Sequence, residues 1–180
     1  MNNLSSLKIL HLIDSGGLYG AEVVLLHLVE EQLKAGLDPF ILSAGTYDIT
    51  EKPIEKAARD RGLPLITWRM DAGLNIYQAW KILCYARKNN FILLHSHGYK
   101  FNILMGLFPR SLRAMPILST LHGYVNAPRY SKMWVYEFLD KLFLPRIDAT
   151  VLVNSRMRDL KIIQGLNLSN VYEIPNGIPA

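Results

Sequence analysis

The sequence predicts an α/β domain built on a parallel sheet of about seven strands with helices on both faces. Three observations carry that prediction. Short apolar runs rich in Ile, Leu and Val alternate with amphipathic stretches from one end of the chain to the other. Strict alternation of this kind requires parallel strands joined by right-handed helical crossovers. The first unit, Leu7 to Leu33, shows the change of period most clearly. A buried-type run, Leu7–Ile13, ends in Asp14-Ser15-Gly16-Gly17, and after Gly20 the apolar residues Ala21, Val24, Leu25, Leu28, Val29 and Leu33 recur at helical spacing.

The remaining units follow in order. Gly36 caps the first helix and Pro39–Ser43 is the second strand. A polar turn leads to a helix over Pro53–Arg61, closed by Gly62, and Leu63–Trp68 is the third strand. Asn75–Lys88 is a helix with Ile76, Ala79, Trp80, Leu83 and Ala86 on one face, and Phe91–Ser96 is the fourth strand. A helix from Tyr99 to Phe108 precedes the fifth strand, Pro116–Leu121. The next helix, Lys132–Leu144, is expected to turn Val135, Phe138, Leu139 and Leu142 inward. Ala149–Val153 is the sixth strand, Ser155 caps a helix over Arg156–Gln164, and Val171–Ile174 is the seventh strand, followed by a turn at Pro175-Asn176-Gly177.

Composition narrows the function classes. Of 180 residues, half are hydrophobic and 19% are charged, which describes a globular chain rather than a disordered one. Cys84 is the only cysteine, so a disulfide framework and a multi-cysteine metal site are excluded and a reducing, cytoplasmic setting is expected. No apolar run approaches the roughly 18 residues a membrane span needs, and the N-terminus does not read as a signal peptide. The net charge is +5, yet the basic residues are scattered, so no nucleic-acid partner is expected. Helix Lys132–Leu144 carries Trp134, Tyr136 and Phe143 beside its stripe, with Arg129, Lys132, Lys141 and Arg146 nearby. Core packing is the default for it, and contact with an anionic membrane surface is the alternative.

In parallel sheets ligands bind beyond the carboxyl ends of the strands. The loops at that edge carry Gly16-Gly17, His97-Gly98, His122-Gly123 and Asn154-Ser155. A helix starting behind Gly16-Gly17 offers free N–H groups to an anion such as a phosphate. The spacing G-G-x-x-G, with Ser43 where an acidic residue would hold a ribose, departs from the dinucleotide fingerprint. Glu22, in the first helical turn, is read as a dipole partner. His95 and His97 share a strand face, and with His122 they form a conceivable metal site, but no carboxylate ligand accompanies them, so no metal and no cofactor is predicted. His95 is read as a buried partner, His97 as reaching the cleft. Lys100 faces either an anionic ligand or solvent.

Taken together, Gly16-Gly17-Leu18-Tyr19-Gly20-Ala21-Glu22, HSHGYKFN from His95 to Asn102, Ser119-Thr120-Leu121-His122-Gly123, VLVNS at Val151–Ser155 and IPNG at Ile174–Gly177 resemble the N-terminal domain of family 4 (group 1) glycosyltransferases. The motifs occur in family order. The resemblance implies one Rossmann-like half of a GT-B fold, with residues 1–180 forming a single acceptor-side domain and the nucleotide-binding C-terminal domain absent from this chain. It implies a retaining, metal-independent transfer of a sugar from a nucleotide-sugar donor to a glycan or lipid-linked acceptor. By the same resemblance His122 would be catalytic. Gly16, Gly17 and Gly123 would meet the donor, and His97, Gly98, Lys100, Asn154 and Ser155 would lie on the acceptor side. The C-terminal domain would be the protein partner, and the enzyme would work in the cytoplasm or on the inner face of a membrane. A non-catalytic binding or membrane-docking module and a nicotinamide-dinucleotide-binding domain are the alternative readings. The two extra residues Leu18 and Tyr19 separate the glycines from Ala21-Glu22, which many members hold contiguous.

Overall fold

A computed structural model describes residues 7–123, 127–159, 161–164 and 170–175. Seven strands form a single sheet: β1 (Lys8–Ile13), β2 (Asp38–Gly45), β3 (Leu65–Arg69), β4 (Leu93–Ser96), β5 (Ile117–Leu121), β6 (Ala149–Leu152) and β7 (Val171–Glu173). Their order is β3-β2-β1-β4-β5-β6-β7, and every pairing is parallel. The intervening helices are α1 (Gly20–Lys34), α2 (Pro53–Asp60), α3 (Ile76–Lys88), α4 (Tyr99–Gly106), the short α5 (Arg110–Arg113), α6 (Lys132–Phe143) and the one-turn α7 (Lys161–Gln164).

Alternation along each strand sorts the two faces. Leu10, Leu12, Leu42 and Leu94 pack with Ala79, Leu83 and Phe101 of α3 and α4. Ile13 and Ile41 pack with Leu25, Val29 and Ile54 of α1 and α2. Helices α1 and α2 stop short of β4–β6, which leaves a groove of about 610 Å³ between α1 and the faces of Leu93, His95, Leu118, Thr120 and Val151.

Helix α1 ends as its sequence predicts. Gly36 adopts φ +81°, its N–H reaches the Leu33 carbonyl, and the Leu37 N–H reaches that of Gln32. Gly62 repeats the left-handed cap after α2.

Three expectations need correcting. The third strand starts at Leu65, because Leu63 is drawn under α2 beside Ile54 and Ala58. The predicted Arg156–Gln164 helix is instead a 3-10 turn, Ser155–Asp159, followed by α7; Asn154, not Ser155, caps it through Oδ1, which accepts the Arg156 N–H at 2.9 Å. The third correction is the largest. Val135, Phe138 and Leu142 do not point inward on α6 but are 43%, 55% and 56% exposed, and Leu139 is only half-buried. The face that α6 buries carries Glu137 and Asp140. Asn102 of α4 explains this: its amide donates to Asp140 Oδ1 at 2.8 Å while its Oδ1 accepts the Ser119 hydroxyl at 2.7 Å. A buried carboxylate needs such partners, and this network fixes the rotation of α6 against its apolar periodicity. Gly106 permits the close approach, since a Cβ there would lie 3.0 Å from Phe143 Cβ and 3.2 Å from its carbonyl oxygen. The turn expected at Asn176-Gly177 lies outside the described residues.

Candidate functional site

The strand order reverses between β1 and β4, so the loops after these two strands diverge and leave a crevice at their carboxyl ends. A cleft of about 630 Å³ opens there, lined by Asp14 and Gly16 after β1, Lys52 before α2, and His97, Gly98 and Lys100 after β4. The two loops come close. A Cβ on Gly98 would stand 3.4 Å from Asp14 Oδ1, and nothing lies within 4 Å of the Cβ position at Gly16, so that glycine leaves the cleft open.

Gly17 has a different part. Its N–H is 3.3 Å from the Ser15 hydroxyl oxygen, and the Tyr19 ring sits so close that a Cβ at Gly17 would overlap it. Gly17 therefore does not line the cleft; the extra Tyr19 of this loop covers it. Glu22 closes the start of α1, its Oε2 accepting the Tyr19 N–H at 2.7 Å. This fits the reading of Glu22 as a partner of the helix terminus.

The charge in the cleft is built into the fold. Lys52 is 2% exposed, and its Nζ donates to the Ala44 carbonyl at 2.5 Å. Its backbone N–H donates to Glu55, which also holds Arg69 through two contacts of 2.8 Å, so the start of α2 is pinned beneath the cleft. Lys100 is 9% exposed rather than solvated. Between them lies Asp14: burial pushes its carboxyl up, and the charges of Lys100 and Lys52 pull it back. Burial likewise lowers Lys52, which Asp14 and Glu55 oppose. Two buried lysines facing a single half-buried carboxylate leave this recess with an excess of positive charge, suited to an anionic ligand.

His122 follows β5 just outside the cleft lining. Its ring centroid is 6.0 Å from that of His97, and its Nε2 is buried without a hydrogen-bond partner among the described residues. Burial lowers its pKa, and the charge of Glu22 acts against that shift. Gly123 takes φ +141°, a conformation other residues adopt only under strain, and its carbonyl accepts the Tyr99 hydroxyl at 2.7 Å. Tyr99 itself lines the cleft, so the His122-Gly123 turn is tied to the cleft wall. Asn154 and Ser155 are exposed at the end of β6 and do not line the cleft.

Gly16, His97, Gly98 and Lys100, which the sequence places in loops at one sheet edge, line the same cleft. The sequence reading misses Asp14, Lys52 and His11. The histidine trio also differs from expectation: His95 and His97 cluster with His11, not with His122. Parity alone could have found it, since His11 lies in a strand and pairs in register with His95.

A doubly wound parallel sheet with a polar crevice at its switch point defines a Rossmann-like α/β domain. The sequence profile of Glycosyltransferase Family 4 matches residues 19–180, and the chain belongs to that family. No curated protein matches it. Among solved structures, HepE of Anabaena in complex with UDP is 16% identical, with TM-score 0.72, over 96% of this chain and 44% of that one. The lipopolysaccharide outer core galactosyltransferase WaaB, in its apo form, is 10% identical, with TM-score 0.66, over 96% of this chain and 46% of that one. UDP-GlcNAc 2-epimerase from Neisseria meningitidis, bound to UDP-GlcNAc, is 8% identical, with TM-score 0.67, over 94% and 46%. The chain thus spans less than half the length of these proteins and matches one half of their GT-B fold.

Proposed function

We propose that this chain is the acceptor-side half of a retaining, metal-independent glycosyltransferase that moves a sugar from a nucleotide-sugar to a glycan or lipid-linked acceptor. A second, nucleotide-binding half completes the site. The observation that carries this reading is the convergence of Gly16, Lys52, His97, Gly98 and Lys100 around Asp14 in one cleft at the switch point. Lys52 and Lys100 attract an anionic group of the substrate, Gly16 and Gly98 give it room, and the buried His97 ring backs the cleft wall. Gly123 holds the His122 turn to the cleft wall through Tyr99, while Gly17, Asn154 and Ser155 lie outside the cleft. His122, one ring beyond His97, faces the reacting sugar when the second half closes, and its Nε2 then gains the partner it lacks here.

Lys100→Met tests the cleft. In the complete enzyme it is expected to raise the acceptor KM by about tenfold or more while kcat changes little, as loss of one partly buried charge contact costs roughly 1.5–3 kcal/mol. An unchanged KM contradicts a role for this cleft in acceptor binding.

The exposed face of α6 supports contact with an anionic membrane at the cytoplasmic surface. Trp134 and Phe138 stack with centroids 5.8 Å apart, Val135 and Leu142 continue the apolar face, and Arg129 and Lys132 lie beside it, exposed. An apolar face rimmed by cations is the pattern of a helix lying in a lipid interface. Among the described residues no helix is long and apolar enough to cross a membrane. Sedimentation with phosphatidylglycerol vesicles is expected to show binding that weakens with salt and is lost in Phe138→Ser; no binding contradicts docking.

A further inference from the structure

His11, His95 and His97 form a compact group of three buried imidazoles on the α1 side of the sheet, 0%, 5% and 6% exposed. Their ring centroids are 4.1 Å (His95–His97), 4.9 Å (His11–His95) and 5.3 Å (His11–His97) apart. One ring nitrogen of each lies within 4.8 Å of the others.

The outer contacts of two rings set their tautomers. His11 Nε2 lies 2.8 Å from Gln32 Oε1, an acceptor, so this nitrogen carries the proton and Nδ1 holds a lone pair. His95 Nε2 lies 2.7 Å from Thr120 Oγ1; as donor there, it leaves Nδ1 of His95 with a lone pair as well. An oxygen partner on the far nitrogen is how metal-binding histidines are oriented in proteins. The third ring lacks such a partner. His97 Nε2 is 3.0 Å from His11 Nδ1, and His97 Nδ1 is buried with no hydrogen bond. Three neutral rings supply three N–H groups and three lone pairs. Gln32, Thr120 and the His11–His97 contact use all three N–H groups, so the buried His97 Nδ1 keeps a lone pair with no donor among the described residues.

We propose that His11, His95 and His97 bind a divalent late transition-metal ion, with Zn²⁺ the best match, at a structural site on the α1 side of the sheet. Zn²⁺ takes imidazole nitrogens at about 2.0–2.1 Å, which in a tetrahedral site sets the nitrogens roughly 3.3 Å apart. The His11–His97 pair is already at that spacing, and His95 closes the remainder by turning about its side-chain bonds. His97 binds through whichever nitrogen it deprotonates, a shift of tautomer that needs no net proton release. The groove beside α1 reaches both His95 and His97, so it gives the ion an entry path and a water as the fourth ligand. The ion ties β1 to β4 at the switch point, and Gln32 and Thr120 act as positioning residues for its ligands.

The test uses the full chain stripped with a chelator and dialysed against Zn²⁺ or Co²⁺, with a Cys84→Ser form to remove the exposed thiol. The expected result is one ion per chain, the strong visible absorption of four-coordinate Co²⁺, and a raised melting temperature. His95→Gln and His11→Gln lose the site. Gln32→Leu weakens it about 10- to 100-fold. His27→Gln, on the groove wall but outside the cluster, and Cys84→Ser leave it intact. Absence of saturable binding, binding that survives His95→Gln, or binding lost in His27→Gln or Cys84→Ser overturns the proposal. If the cluster variants fail to fold, ring-nitrogen NMR of the wild-type chain decides: Zn²⁺ must move the signals of His11, His95 and His97, and a response at His27 instead overturns it.

Discussion

His122→Ala in the complete enzyme is expected to lower kcat for sugar transfer by about 100- to 1000-fold, the usual loss when one preorganised donor at a developing charge is removed. The expectation rests on three features of the residue. It sits at the carboxyl end of β5, where the sheet presents side chains to a ligand. Its Nε2 is buried without a partner among the described residues. Burial keeps the ring neutral, so it meets a sugar hydroxyl or phosphate as a hydrogen-bonding group and not as a fixed cation. Because such a contact matters most in the transition state, the loss should fall on kcat more than on KM. His122→Asn, which keeps a donor near the same place, should recover part of the activity. Steady-state kinetics with a soluble acceptor read this out. An unchanged kcat in a folded His122→Ala enzyme removes His122 from the chemistry.

The second large effect is acid sensitivity of the metal-free chain. Burial lowers the His11 pKa from 6.5 to about 4, against the opposing hydrogen bond to Gln32. Between those values the unfolded chain takes a proton that the folded chain refuses. The stabilisation is therefore complete above pH 6.5 and is lost progressively as pH falls towards 4. A shift of that size corresponds to about 3 kcal/mol for His11 alone. His95 and His97 are lowered in the same direction by burial, with the neighbouring histidines adding to the effect. Asp14 works the other way: its carboxyl is raised by burial, so the cost of keeping it ionised shrinks as acid protonates it in the folded chain. The histidines outnumber it. Since domains of this kind are stable by only about 5–15 kcal/mol, urea midpoints should drop steeply below pH 6.5. Midpoints that stay level from pH 7.5 to 5 contradict the burial of neutral imidazoles.

Much of this architecture can be read from the residues. Alternating apolar runs and amphipathic stretches yield the parallel sheet, and the glycines after β1 and β4 mark the edge where the cleft opens. What is not legible depends on contacts between distant residues. The stripe Val135, Phe138 and Leu142 has good helical spacing, yet it faces outward because Asn102 and Ser119 offer Asp140 a buried hydrogen-bond network. Periodicity describes a helix face but not which partner claims it. His11 hides within an apolar run, and its meaning emerges only when β1 pairs with β4 and sets it against His95. Lys52 lies in a polar turn that looks solvated, until the Glu55–Arg69 pair and the Ala44 carbonyl draw it under the cleft. The role of Gly17 depends on where the Tyr19 ring comes to rest.

The fold itself is shared with enzymes of two chemistries, since galactosyltransferase WaaB and UDP-GlcNAc 2-epimerases both match this half. The decisive measurement is the reaction of the complete enzyme with a panel of nucleotide-sugars and candidate acceptors, with the product's anomeric configuration read by NMR. Transfer of the sugar to an acceptor with its configuration retained is the predicted result. Inverted product, or epimerisation of the donor without transfer, would contradict the account.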